Sequence, residues 1–218
     1  MAPPSPSMSI DNTTAREDQE EMMREVEVQR RDSVRRQHLR NKVVEEILSS
    51  ERAYLGHLNI LMRVFVDGLS LVSKKVIAPA ELRTLFGEIR SIRLINQVLC
   101  DHLSGGDVVG AFATLTPFLK LYSSYARNFP SSQHLLNDLM KRADFDQFVR
   151  AQEALPVCCG IKLPGFLIMP IQRIPRYKLL LQEFLKYTST LQERSQVTGL
   201  CANSRQIFNG AYSRRGTN

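Results

Sequence analysis

The local patterns that announce most enzymes are missing from this chain of 218 residues. There is no GxxxxGK[ST] phosphate loop, no GxGxxG dinucleotide turn, no HExxH and no GxSxG elbow. The Gly105-Gly106 pair reads as a helix breaker, not a phosphate cradle. The histidines at 38, 57, 102 and 134 lie outside metal-ligand spacing of one another and of any cysteine. Paired carboxylates occur at Glu20-Glu21 and Glu45-Glu46. Adjacent residues on a helix point about 100° apart, so neither pair flanks one substrate. Hydrolase and metalloenzyme chemistry is therefore not expected, and no cofactor or metal is expected.

Other absences bound the fold and the compartment. The longest apolar runs, around residues 166–169 and 179–181, are far too short to span a bilayer. The opening MAPPSPSMSIDNTT has neither a positive start nor an apolar stretch, so no signal peptide is expected. The four cysteines (Cys100, Cys158, Cys159 and Cys201) show no CxxC spacing. Reduced thiols in a cytoplasmic protein are the expectation. No segment alternates with period two, so no sheet is expected, and no helical-array repeat is present.

The net charge is +7, from 29 Lys and Arg against 22 Asp and Glu. Arg30, Arg31, Arg35, Arg36, Arg40 and Lys42 cluster in the N-terminal third, and Arg214 and Arg215 lie near the end. No aromatic residues are interleaved with the first cluster, which argues against a single-strand stacking platform. The plain reading is a solvated helix face. An anionic membrane is the polyanion such a patch would meet, whereas nucleic acid is not expected.

What is present is helical periodicity. Residues 1–15, rich in Pro, Ser and Thr, are expected to be disordered, and residues 16–38 to be at most marginally helical. Leu39, Val43, Ile47, Tyr54, Leu58, Leu61 and Phe65 then recur at helical spacing, predicting one helix over residues 36–66. Pro79 opens a helix read as continuous to residue 103. Asp107 is placed as an N-cap for a helix over 108–126 bent at Pro117. Short helices through 141 and from Asp144 to about 155 follow. A long helix then ends near 187, and a last helix runs from about 192 to 214. The expected fold is all-α, an elongated multi-helix bundle.

One segment stands apart: LPGFLIMPIQRIPRYKLLLQEFLKY, residues 163–187. Pro170 and Pro175 interrupt a stretch otherwise suited to a buried helix. Pro170 is expected to start the regular helix, and Pro175 to bend its first turns. Gln172, Arg176 and Leu180, at i, i+4 and i+8, share one face. Leu167, Ile171, Ile174, Leu181 and Leu185 fall largely on another, suited to a core. A second candidate surface lies on the first long helix. There Glu46, Ser49, Ser50, Ala53, Gly56 and His57 form a stripe of small residues beside a carboxylate. It admits either a neighbouring helix of the same chain or an external partner.

These residues carry a resemblance. NKVVEEILSSERAYLGHL resembles the first signature of Dbl homology (DH) domains, the exchange-factor modules of Rho-family GTPases. LPGFLIMPIQRIPRYKLLLQEF resembles their third signature, and ELRTLFGEIRSI and TPFLKLYSSYARNFPSS are similar to the middle region. The likeness covers roughly residues 36–218, with residues 1–35 as an extension. It implies a guanine nucleotide exchange factor for a Rho-family GTPase, with no covalent chemistry of its own. The alternative is a helical scaffold that binds such a partner without exchanging nucleotide. By the resemblance, Glu46 engages switch I, with Ser50 beside it, and Gln172, Arg176 and Leu180 meet the switch regions. Asn209, or Asn203 as the alternative, orders switch II. Ile168 meets the GTPase strands and leans towards Rac-type partners. Arg176 stands where many members have lysine, Met169 replaces a lysine, and Lys178 replaces a frequent proline.

Overall fold

The computed structural model describes residues 12–72 and 76–212, with side chains described for 16–72 and 76–202. Among the described residues there is no strand, and the fold is all-α, as the periodicity predicts. The described residues hold nine α-helices in order: α1 (Asn12–Ile60), α2 (Asp67–Leu71), α3 (Pro79–Phe86), α4 (Ile89–Ser104), α5 (Val108–Leu115), α6 (Leu119–Leu139), α7 (Ala143–Glu153), α8 (Leu163–Lys186) and α9 (Leu191–Tyr212). A π-helical segment, Leu61–Val66, joins α1 to α2. The chain divides into two compact units, Met1–Asn41 and Lys42–Asn218.

In the first unit, α1 begins at Asn12, so residues 12–15, expected to be disordered, are helical, and residues 16–38 take the helical form that the sequence only marginally supports. No glycine or proline interrupts this stretch. Its charges pair along the helix surface: Arg24 with Glu20 at 3.6 Å, and both Arg30 and Arg31 with Glu27 at 2.9 Å. Met22, Met23, Val26 and Val34 are exposed, so side-chain pairing and backbone propensity support this part of the helix.

The second unit holds the core. Val43, Ile47, Tyr54, Leu58, Leu61 and Phe65 are all buried, as the apolar stripe of α1 predicts. The helix read as continuous from Pro79 is in fact two, α3 and α4. Gly87 ends α3 with φ 49° and ψ −128°, a backbone conformation that side-chain-bearing residues rarely adopt. Asp107 caps α5 as expected, its carboxylate accepting the Gly110 N–H at 2.8 Å. Pro117 falls in a 3-10 turn, Thr116–Phe118, instead of bending one helix.

Three prolines lie inside helices, although Pro170 is expected to start one. Pro130 is within α6, and Pro170 and Pro175 are within α8. A proline removes one ladder hydrogen bond and crowds the preceding turn. Tertiary bonds hold α6 on both sides of Pro130. The Tyr125 hydroxyl donates to Leu167 O at 2.7 Å, Asn128 Nδ2 to Thr84 O at 2.7 Å, and Ser132 Oγ to Leu85 O at 2.5 Å. α8 starts at Leu163, not Pro170, and Arg142, not Asp144, is the N-cap of α7.

The stretch Pro156–Lys186 is long and apolar enough, by length and composition, to cross a membrane, with a best-window mean hydropathy of 1.3. The expectation from its short uninterrupted runs is corrected to that extent. Its large side chains, Phe166, Leu167, Tyr177, Leu181 and Phe184, nevertheless fill the core of the bundle. A soluble core helix passes the same compositional test.

Glu81 ties α3 to the start of α7. Its Oε2 accepts the Ala78 N–H at 2.8 Å, and its carboxylate receives two bonds from Arg142, at 2.6 and 3.1 Å. Arg142 and then the Ala78 N–H hold this carboxyl below the ordinary value of 4.5. A depressed folded-state pKa stabilises the fold above the ordinary value and loses that effect as pH falls through the lower one. Glu81→Gln is therefore expected to lower the urea midpoint near neutrality and to converge on wild type through the acid range. A midpoint gap that stays constant on acidification would contradict this.

Candidate functional site

The two surfaces singled out in the sequence form one groove. Ser50, Ala53, Tyr54 and His57 of α1 and Met169, Gln172, Arg173 and Arg176 of α8 line a depression of about 210 Å³. Ala53 is exposed, and a Cβ at Gly56 would meet nothing within 4 Å. Among the described residues no side chain meets a Cβ built at Gly56, which leaves that part of the face open to a partner.

The expected site residues divide accordingly. Ser50, Gln172 and Arg176 come together in the groove wall. Glu46 is exposed on α1 one turn before Ser50 and is not a groove wall. Ile168 is 36% exposed on α8, one turn before Gln172. Leu180 is corrected: at 5% exposure it belongs to the core, so the open stripe of α8 consists of Gln172 and Arg176. α8 must pack against the rest of the bundle, and helical drift carries the i+8 position to the buried side. Leu179, at 65% exposure, is the open apolar side chain beside it. Asn209 and Asn203 lie on α9, outside the residues whose side chains are described.

Beneath the groove lies a buried polar network that sequence reasoning missed. Arg173 Nη2 donates to Glu51 Oε2 at 2.5 Å, with the two side chains 4% and 0% exposed. Arg173 Nη1 donates to Ser50 Oγ at 2.8 Å. The guanidinium lies between the rings of Tyr54 and Tyr177, 4.9 and 4.5 Å from their centroids. The Tyr177 hydroxyl is 2.8 Å from Glu51 Oε2 and 2.6 Å from Asn96 Oδ1, so its one proton is shared between two acceptors. Asn96 Nδ2 in turn donates to the Tyr122 hydroxyl and to Ile92 O, each at 2.6 Å. Glu51 Oε1 and Arg173 Nε have no hydrogen-bond partner among the described residues.

The electrostatics follow from burial. Loss of water raises the Glu51 pKa, opposed by the Arg173 charge and the bonds from Arg173 and Tyr177. Burial alone would lower the pKa of Arg173, but the charges of Tyr177 and Glu51 raise it, so the guanidinium stays protonated. Burial, followed by the Glu51 charge, raises the Tyr122 hydroxyl to about 12 and Tyr177 well above its ordinary value. The network ties α1 to α8 directly beneath the groove.

A signal for the pair was present. Glu51 sits on the buried stripe of α1 between Ile47 and Tyr54, and Arg173 sits on that of α8 between Phe166 and Tyr177. Opposite charges on two core stripes point to partners, because an unpaired buried charge costs too much.

The chain matches the RhoGEF domain family over residues 43–208 and belongs to it. It is 32% identical over 158 residues to "Guanine exchange factor for Rac 30" of Dictyostelium discoideum, covering 68% of this chain and 9% of that protein. It is 31% identical over 163 residues to "FYVE, RhoGEF and PH domain-containing protein 4" of Rattus norvegicus, covering 68% of this chain and 21% of the relative. The chain thus spans only a small part of the length of these relatives. In fold it is similar to the PDZ-RhoGEF DH/PH domains solved in complex with GTP-gamma-S activated RhoA. There the TM-score is 0.75 at 18% identity, covering 82% of this chain and 54% of the other. The DH/PH domains of p115-RhoGEF give a TM-score of 0.74 at 23% identity, over 82% and 52–57% in the several crystal structures that include them at TM-scores of 0.73–0.74.

Removing one member of the buried pair leaves the other charged and unpaired, at a cost of about 3–5 kcal/mol. Arg173→Met is expected to destabilise the protein on that scale in urea unfolding. Glu51→Leu combined with Arg173→Met should recover most of the loss, because the pair is replaced by apolar groups. Equal stability of the single and double variants would refute the pairing energetics.

Proposed function

We propose that this chain is a guanine nucleotide exchange factor for Rho-family GTPases. The observation that carries the reading is the open groove where α1 meets α8. It joins the two stretches that resemble the family's first and third signatures, and among the described residues no helix occupies it. Membership of the RhoGEF domain family and the relatives' names support it. The structure of DH/PH domains with RhoA supports a Rho-type partner.

Exchange by such a surface involves no covalent bond. The domain binds the nucleotide-free GTPase more tightly than the loaded form, and by linkage it weakens nucleotide affinity by the same factor. Rate enhancement comes from stabilising states along the release path. Glu46 supplies hydrogen-bond acceptors to switch I, with Ser50 beside it at the groove edge. Gln172 and Arg176 supply donors to the switch regions, and Arg176 does so through a planar fork that differs from an ammonium. Ile168 and Leu179 add exposed apolar contact on the same helix, and Ile168 favours a Rac-type partner. Asn209 on α9 completes the switch II contact. The basic cluster from Arg30 to Lys42 offers cytoplasmic contact with anionic membrane.

Glu46→Ala is expected to slow release of a fluorescent nucleotide by about tenfold or more, with helical content unchanged, because Glu46 is exposed and outside the core. Arg176→Ala should act in the same direction. The measurement is release from a panel of Rho-family GTPases. Wild-type release rates in Glu46→Ala would remove Glu46 from the mechanism, and a wild-type chain inactive on the whole panel would remove the function.

A further inference from the structure

Arg173 is buried in the core, yet one of its bonds reaches the groove wall: Nη1 holds the Ser50 hydroxyl while Nη2 holds Glu51. Its sequence neighbours Gln172 and Arg176 face the groove. Pro170 and Pro175 flank it in α8, and each removes an N–H from the helical ladder. The backbone that carries Gln172 and Arg176 is therefore short of its own hydrogen bonds, and side-chain anchors must set its position.

We propose that Arg173 is a positioning residue for nucleotide exchange, fixing the register of α8 against α1 so that Gln172 and Arg176 stand correctly beside Ser50 and Glu46. The proposal rests on the exchange-factor reading. The guanidinium is a rigid plane with forked donors, so two bonds to consecutive residues of α1 fix its orientation as well as its distance. The Tyr54 and Tyr177 rings prevent it from swinging. Tyr177 and Asn96 extend the brace to α4, and Tyr122 extends it to α6. The groove is thus supported from beneath by a network whose central member is almost entirely buried. A displacement of about 1 Å in groups that act together costs a large factor in rate.

Two variants separate positioning from stability. Glu51→Leu/Arg173→Met replaces the charges with apolar groups and keeps the fold, but it releases Ser50. Arg173→Lys keeps a charge opposite Glu51, but a single ammonium does not reproduce the planar fork. Nucleotide release is measured over a range of GTPase concentrations to separate kcat from KM, alongside urea midpoints and the methyl resonances of Ala53 and Met169 on the opposing groove walls. For the double variant we expect a midpoint close to wild type, kcat reduced about tenfold or more, KM changed less than about twofold, and both methyl resonances displaced. Arg173→Lys should show the same kcat loss when compared at equal folded fraction. Wild-type kcat in either folded variant overturns the proposal. Unmoved methyl resonances also overturn it, and they do so with no GTPase present. That readout keeps it distinct from the exchange-factor reading, which fails separately if wild type discharges no GTPase.

Discussion

The ion pair of Glu51 and Arg173 is the contact on which the rest of this structure depends. Two charges removed from water are costly, and that cost is offset only when geometry and further bonds are good. Here the carboxylate receives Arg173 and Tyr177, and the guanidinium also reaches Ser50 between two aromatic rings. Through Tyr177, Asn96 and Tyr122 the same contact ties α1 and α8 to α4 and α6. A wholly apolar interface would hold these helices with comparable strength but would tolerate sliding. A directional network admits one register.

That constraint gives α8 a double role. Phe166, Tyr177, Leu181 and Phe184 bury one side, while Gln172 and Arg176 remain open on the other. The helix-interior prolines weaken its own ladder, so its shape comes from its surroundings. On the facing helix, Ala53 is exposed and Gly56 leaves space that no side chain among the described residues fills. A surface with fixed polar groups and open space suits recognition of another protein's backbone and side chains.

Much of this was legible in the chain. The stripe from Val43 to Phe65 gave the core face of α1, because burial on a helix demands that spacing. The Asp107 cap was readable because a carboxylate before a helix accepts a nearby N–H. Pro170 misled, because local rules place proline at a helix start while the bundle holds it inside α8. The break at Gly87 was missed because the apolar pattern continues across it. Leu180 was assigned to the open stripe on its i+8 spacing, and it is interior because i and i+8 do not share a face as closely as i and i+4.

By itself, the sequence determined the helical class, the core faces and the family, because periodicity and signature residues are local properties of the chain. Only the tertiary structure decided that Glu51 and Arg173 are partners, that Ser50 stands beside Gln172 and Arg176, and that Leu180 is interior. Those are relations between residues separated by more than a hundred positions, and no helical period encodes them. They arise when buried charge has to find its partner, and the helices take the register in which it does.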